Sequence, residues 1–432
     1  MAAEERVSHA HLPLDVRRQW YGVALSSDLP QTVKGKFGYK APSPLATTLL
    51  ADPIVLWRDL LGNARCLADK CPHRSAPLSL GKINGENGTL ECIYHGWQLD
   101  GASGMVMHIP ALLDGKGIPS NARSRTYPVC EQDNVVYVWA GPEDSAPSDA
   151  AEAGPPPRDV DDEGTALLEK IGYVCQYMCF DLPIDHSLMI ENLLDPAHIP
   201  FAHEGTIGRR SQAEPLEMKI KKTPRGIRGQ VKEGYFNGFE APCTIVLHTP
   251  PKPGKMDMWQ YVNCTPTAPG QMRMVYRSYR NWATFVQWLP PLRRMFESFS
   301  TKIVFQDYNL LLGQQMRLRE KGLAWNAAIQ VDTLPVMYRN YWKRTFGKTD
   351  KDSPWWRGWD GSLDVEDLDR LGVFSKDFDC NGCAVPHRPH HPQNSLEVSG
   401  RLAPLRPQPA QGYPWLGFLV AAAIGALAAK MF

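Results

Sequence analysis

The sequence predicts an α+β protein with two principal domains, and three observations carry that reading. Residues 20–140 hold a succession of short β-prone runs: apolar segments at 53–58 and 64–68 around Gly62-Asn63, alternation over 89–99, and NVVYVWA at 134–140. Composition breaks at Gly141 into an acidic, Pro/Ala-rich stretch without periodicity, which reads as a linker or exposed loop. Beyond it, strand patterns (229–247, 259–264, 271–279) mix with helical ones (184–199, 292–321).

The expected organisation is an N-terminal extension (1–17), an all-β domain (18–142), a linker (143–164), a mixed domain (165–379), a Pro/His-rich tail (380–411) and an apolar end (412–430). A chain of 432 residues has ample length for sizeable cores. A net charge of +1 without a basic block gives no reason to expect nucleic acid as a partner. Thirteen tryptophans and 37 prolines suggest large apolar pockets and long ordered loops. The ten cysteines show no disulfide-like pattern, so Cys66, Cys130, Cys175, Cys179, Cys243 and Cys264 are expected as free thiols.

Residues 1–18 contain Glu4, Glu5 and Asp15 and no apolar core, unlike a secretory signal or an acid-poor transit peptide. Within residues 412–430 the run 413–429 is nearly all apolar, and as a helix of about 18 residues would reach about 27 Å, close to the hydrocarbon thickness. Tyr413, Trp415 and Lys430 stand where interfacial anchors belong. The expectation is a single C-terminal transmembrane anchor with membrane lipid as a partner; a buried terminal helix or lipid-surface segment is the alternative.

The motifs Cys71-Pro72-His73 and Cys92-Ile93-Tyr94-His95 each place one thiolate and one imidazole on a tight loop, with 18 residues between His73 and Cys92. A Rieske [2Fe–2S] centre needs this set: thiolates hold one iron, and histidines hold the other and raise its reduction potential. Gly96 follows where backbone must approach the cluster, and Pro72 and Trp97 can shield it. Tetrahedral zinc also suits two Cys and two His, but zinc loops usually keep each ligand pair chemically alike. Here each loop carries one of each.

The segment ENLLDPAHIPFAH (191–203) offers a second metal site. Asp195 and His198, three apart, would share one helix face. Pro200 lacks a backbone N–H and should end or kink that helix, letting His203 swing back toward His198. A carboxylate would complete a 2-His-1-carboxylate triad with open positions on non-haem Fe(II). The candidate is Asp307, set among Ile303, Val304, Phe305 and Leu310, because an inward-facing acid is costly unless paired or metal-bound. Taken singly, Asp307 also reads as a helix-surface acid, and either histidine as a satisfied core residue.

Together these residues resemble the Rieske non-haem iron oxygenases, in which Cys-x-His…Cys-x2-His is followed by acid-x3-Asp-x2-His-x4-His and a late Gln-Asp. Glu191, Asp195, His198, His203 and Gln306-Asp307 match that pattern. Trp20-Tyr21, DKCPHR (69–74), ECIYHGW (91–97) and ENLLDPAH (191–198) are most similar to the pheophorbide a oxygenase, Tic55 and chlorophyllide a oxygenase branch. The resemblance implies a Rieske domain followed by a helix-grip (Bet v1-like) catalytic domain, with a curved antiparallel sheet around an apolar cavity. It implies a head-to-tail homotrimer and a chloroplast (thylakoid or envelope) or cyanobacterial membrane as the address.

The expected cofactors are one [2Fe–2S] cluster on Cys71, His73, Cys92 and His95 and one mononuclear Fe(II) on His198, His203 and Asp307. Asp195 is the expected catalytic link, its carboxylate bonding a ligand imidazole; a helix-terminal or salt-bridging role is the alternative. The sequence has neither a Gly-rich dinucleotide loop nor plant-type ferredoxin Cys spacing, so the electron donor is expected to be a separate ferredoxin with its reductase. Cys380 and Cys383 form a candidate redox dithiol, or a stray metal site with His387, His390 and His391. The expected reaction is monooxygenation, with O2, of a large apolar ring compound such as a chlorophyll-derived tetrapyrrole. The rivals are a catalytically silent, membrane-associated electron-transfer or redox-sensing component, and an oxygenase of a sterol, alkaloid or aromatic acid.

Overall fold

The computed structural model describes residues 16–30, 33–35, 38–40, 43–223, 225–232, 234–250, 256–321 and 328–349. They fall into two compact units, one of 15–158 with 265–268, the other beginning at 159.

The first unit is built from antiparallel β-structure. Trp20–Leu25 pairs with Val135–Trp139, which pairs with Val129–Gln132. Leu45–Leu49, Asp52–Arg58 and Ala64–Ala68 form a meander. The turn 59–63 of this meander matches the hairpin read from Gly62-Asn63: Asp59 Oδ1 accepts from the N–H groups of Leu61 and Asn63, both at 2.9 Å, and Gly62 has φ +84°. The alternation at 89–99 is cut by a loop into Leu90–Glu91 and Gln98–Leu99, which join Lys82–Ile83 and Val106–His108 in a small sheet. Val55, Trp57, Leu67, Leu78, Ile83, Leu90 and Leu99 form one buried cluster that also contains Cys71 and Cys92. The Pro/Ala-rich stretch is not wholly irregular. It contains the helix Ala146–Ala153, at whose end the Trp20 indole donates to the Gly154 carbonyl at 2.8 Å.

The second unit is a seven-stranded sheet, ordered Val174–Leu182, Gln271–Arg280, Met258–Ala268, Thr244–Thr249, Tyr235–Glu240, Gly226–Lys232 and Lys219–Lys222. One face buries Leu167, Phe236, Val246, Trp259, Tyr261 and Tyr279 together. The helices His186–Leu194 and Pro290–Lys321 supply residues to a cavity that the opposite face lines. A further helix, Thr333–Thr349, sets Tyr338 and Tyr341 against Phe239 at 4.9 and 5.1 Å. Its Arg339 pairs with the buried Glu191 at 3.0 and 3.3 Å.

Three expectations are corrected. The α+β class and antiparallel sheets hold, but the curved helix-grip sheet does not. The strand order is open, and the edge strands Val174–Leu182 and Lys219–Lys222 do not pair with each other among the described residues. The outer edge is the exposed, lysine-rich KIKK, and such charge blunts further strand pairing. The transmembrane anchor, and with it the lipid partner and the chloroplast or cyanobacterial membrane address, is also withdrawn. Among the described residues no helix is long and apolar enough to cross a membrane. The longest, Pro290–Lys321, carries Arg293, Arg294, Glu297, Lys302 and Asp307. Residues 412–430 lie outside the described residues, as do Cys380 and Cys383. Finally, the single helix read over 184–199 is broken at Asp195-Pro196, short of Pro200: His186–Leu194 gives way to a 3-10 turn, Pro196–His198, and a short helix, Ile199–Ala202.

Candidate metal centres

The two Cys/His loops share one backbone plan. In the first, Ser75 N–H donates to the Cys71 carbonyl at 2.9 Å and Cys71 N–H to the Ala76 carbonyl at 2.8 Å. In the second, Gly96 donates to Cys92 and Cys92 to Trp97, both at 2.9 Å. The fifth residue of each loop has positive φ, +59° at Ser75 and +69° at Gly96. A Cβ on Gly96 would stand 2.9 Å from the Pro110 ring, so glycine is required there for space as well as conformation.

This plan brings the two thiols together and the two imidazoles together. Cys71 and Cys92 are buried with their thiols in contact, and the His73 and His95 rings lie 4.6 Å apart. Burial, with the second thiol beside it, raises Cys71 above the ordinary thiol pKa. His73 Nδ1 is buried without a hydrogen-bond partner among the described residues. Two crowded thiols and an orphaned imidazole nitrogen are costly as they stand, and an iron–sulfur cluster would satisfy them as ligands. Trp97 stacks on His73 at 4.5 Å and 5°, and Asp69 holds the loop base by accepting from Ser79 N–H and Oγ at 2.7 and 2.6 Å.

The second centre draws on distant segments. Asp195 ends one helix and caps the next turn, its carboxylate accepting from Ala197 N–H at 2.8 Å. The acceptor for His198 Nδ1 is the Asp195 main-chain carbonyl at 2.5 Å; the carboxylate is 4.0 Å away. His203 Nδ1 lies 3.2 Å from Gln306 Oε1, which also accepts from Thr206 Oγ1 at 2.8 Å. With both Nδ1 atoms donating, both Nε2 lone pairs turn inward. These nitrogens are 3.3 Å apart, and Asp307 Oδ1 is 3.6 Å from His198 Nε2 and 3.2 Å from His203 Nε2. Burial works against charge on His203, but the bond and charge of Asp307 outweigh it and raise its pKa above the usual histidine value. His198, His203 and Asp307 thus form a set whose ligand atoms fall within 4.8 Å of one another. The donor set fits a mononuclear iron.

The triad opens onto a cavity of about 160 Å3, walled by residues such as Met189, Leu193, Phe299, Ile303 and Val304. Sequence reading missed three contributors: Asn192, whose amide reaches Asp307 at 3.5 Å; Thr206, which steadies Gln306; and Glu191 as the partner of Arg339. The polar residues around ENLLDPAH were the only hint of them.

Three family models match: the Rieske [2Fe-2S] domain over 19–122, pheophorbide a oxygenase over 239–325, and the vanillate O-demethylase oxygenase C-terminal domain over 184–235. The chain belongs to the Rieske non-haem iron oxygenase family. It is related to the pheophorbide a oxygenase, Tic55 and chlorophyllide a oxygenase family, and combines a Rieske-family iron–sulfur domain with a His/His/Asp set that fits a mononuclear iron. Among its relatives is chlorophyllide a oxygenase, chloroplastic, of Arabidopsis thaliana, 27% identical over 354 residues, covering 78% of this chain and 58% of that protein. Protein TIC 55, chloroplastic, of the same plant is 30% identical over 334 residues, covering 74% and 57%. The chain thus spans between half and two thirds of the length of these relatives. The Rieske oxygenase has the same fold as dicamba monooxygenase bound to dicamba, at TM-score 0.61 and 21% identity, over 78% of this chain and 99% of that one.

Proposed function

We propose that this oxygenase is a monooxygenase of a large apolar ring compound of the chlorophyll-derived tetrapyrrole class, fed with electrons by a separate ferredoxin and its reductase. In this reading residues 18–142 are the electron-accepting domain, where Cys71, His73, Cys92 and His95 hold a [2Fe–2S] cluster. Residues 165–379 are the catalytic domain, where His198, His203 and Asp307 hold Fe(II) and Asp195 orients His198. A cluster on the four Cys/His residues and an iron on the triad would supply the redox chemistry that no side chain here provides. The protein's own part is positional. His198 and His203 keep their donor nitrogens inward, Asp307 brings a carboxylate from a separate helix, and largely apolar walls flank the reacting position.

The observation that carries the reading is a complete triad opening onto an apolar cavity, because a silent electron carrier has no use for one. The pheophorbide a oxygenase match over 239–325, which includes Asp307, supports the substrate class. A cavity of about 160 Å3 holds roughly a single ring, so a macrocycle would enter edge-on. That same volume favours the second reading, a smaller aromatic acid.

The test is incubation of the iron-loaded enzyme with ferredoxin, ferredoxin reductase, NADPH and O2, against pheophorbide a, chlorophyllide a and simple aromatic acids. Product is followed by the mass gain of oxygen. We expect a tetrapyrrole to turn over with wild type and not with Asp307→Ala, which should keep the Rieske resonance and hold about two irons where wild type holds about three. Failure of every tetrapyrrole sinks the substrate class, and full turnover by Asp307→Ala sinks the carboxylate assignment.

A further inference from the structure

Strand Gln271–Arg280 presents alternate residues, Met274, Tyr276 and Ser278, to the iron cavity. Its ladder with Val174–Leu182 runs in unbroken register from Met272 opposite Leu182 to Arg280 opposite Val174, so Arg280 is the next side chain on the cavity face. The guanidinium lies 4.3 Å from the ring centre of Phe296 and 5.8 Å from that of Trp282, and both rings line the cavity.

Arg280 is 0% exposed, and its Nε, Nη1 and Nη2 have no hydrogen-bond partner among the described residues. The Trp282 indole N–H beside it is likewise buried without an acceptor. The same strand shows how buried arginines are otherwise satisfied. Arg273 is held by both oxygens of Asp181, at 2.6 and 2.5 Å. Arg277 is gripped by both oxygens of Asp159 and by Asn263. Arg280 alone of these three has no acid, and burial lowers its pKa. A guanidinium stays charged in proteins, and a buried charge is tolerated only when paired. Among the described residues none supplies the missing counter-charge, and the planar fork of donors suits a carboxylate.

We propose that Arg280, backed by the Trp282 indole N–H, is the docking point for a carboxylate on the substrate, so that the enzyme binds free acids and discriminates against their esters. The proposal rests on the oxygenase reading of this cavity and refines its substrate class to ring compounds bearing an acid arm.

Its test is calorimetric binding to the anaerobic, iron-loaded enzyme, without turnover, using two acid–ester pairs: pheophorbide a and its methyl ester, and 2-naphthoic acid and its methyl ester. Wild type should bind an acid roughly 10- to 100-fold more tightly than its ester. Arg280→Gln should abolish that gap with the Rieske absorption unchanged, and Arg280→Lys should retain part of it. No gap in wild type for any pair that binds, a gap that survives Arg280→Gln, or no binding of either acid overturns the proposal. Should Arg280→Gln fail to fold, the wild-type gap and its partial retention in Arg280→Lys decide. A gap for the naphthoate pair with no binding of pheophorbide a leaves Arg280 standing and removes the tetrapyrrole. Pheophorbide a binding as tightly as its ester does the reverse.

Discussion

His203 shows what a single residue needs in order to serve as a ligand. Its Nε2 faces Asp307 because Gln306 takes up Nδ1 and is itself held by Thr206. Removing an outer partner of this kind typically costs 10- to 100-fold in metal affinity or activity. Gln306→Leu is therefore expected to lose iron to a chelator roughly that much more readily while the Rieske absorption stays constant. Equal retention would mean that His203 is oriented by some other contact. The motif Gln306-Asp307 was legible in sequence as one ligand, but not the separate duty of its first residue. That duty depends on which way a helix 100 positions away turns its side chains.

At the scale of elements, the break at Asp195 is the device that sets the site. Asp195 leaves the helix with φ −100° and ψ 102°, caps the following 3-10 turn and offers its carbonyl to His198. Sequence reading put Asp195 and His198 on one continuous helix face and assigned the contact to the carboxylate. Proline at the first position of the new turn, together with the capping aspartate, ends the helix earlier than Pro200 would. Two substitutions separate the roles. Asp195→Ala loses the cap and should destabilise the fold by about 1 kcal/mol. Asp195→Asn keeps an acceptor for Ala197, so its melting temperature should match wild type. If the charge serves catalysis, Asp195→Asn loses turnover all the same; full turnover would leave Asp195 as a cap alone.

At the scale of the whole molecule, sheets are tied by a few ion pairs whose pH dependence is readable. Arg58, on Asp52–Arg58, holds both oxygens of Glu131, on Val129–Gln132, at 2.9 and 2.6 Å. The hydrogen bond from Arg58 keeps the Glu131 pKa below the usual glutamate value, against the opposing effect of burial. A depressed carboxylate stabilises fully above its unfolded pKa of about 4.3 and loses that contribution as pH falls through the folded value. Glu131→Gln should therefore melt lower than wild type at pH 7, and the difference should shrink as pH falls below about 4. A constant difference would show that the pair contributes through packing alone.

The amino-acid sequence by itself determined the α+β class, the two Cys/His loops and the His198 and His203 pair. Each rests on chemistry confined to a few neighbouring residues or on a strong local period. Only the tertiary structure decided that the sheet is open, that Asp307 meets the two histidines, that the helix breaks at Asp195, and that Arg280 is buried with no acid beside it among the described residues. Strand order, helix ends and the partners of a buried charge depend on the register between segments far apart in the chain, and no local pattern encodes that register.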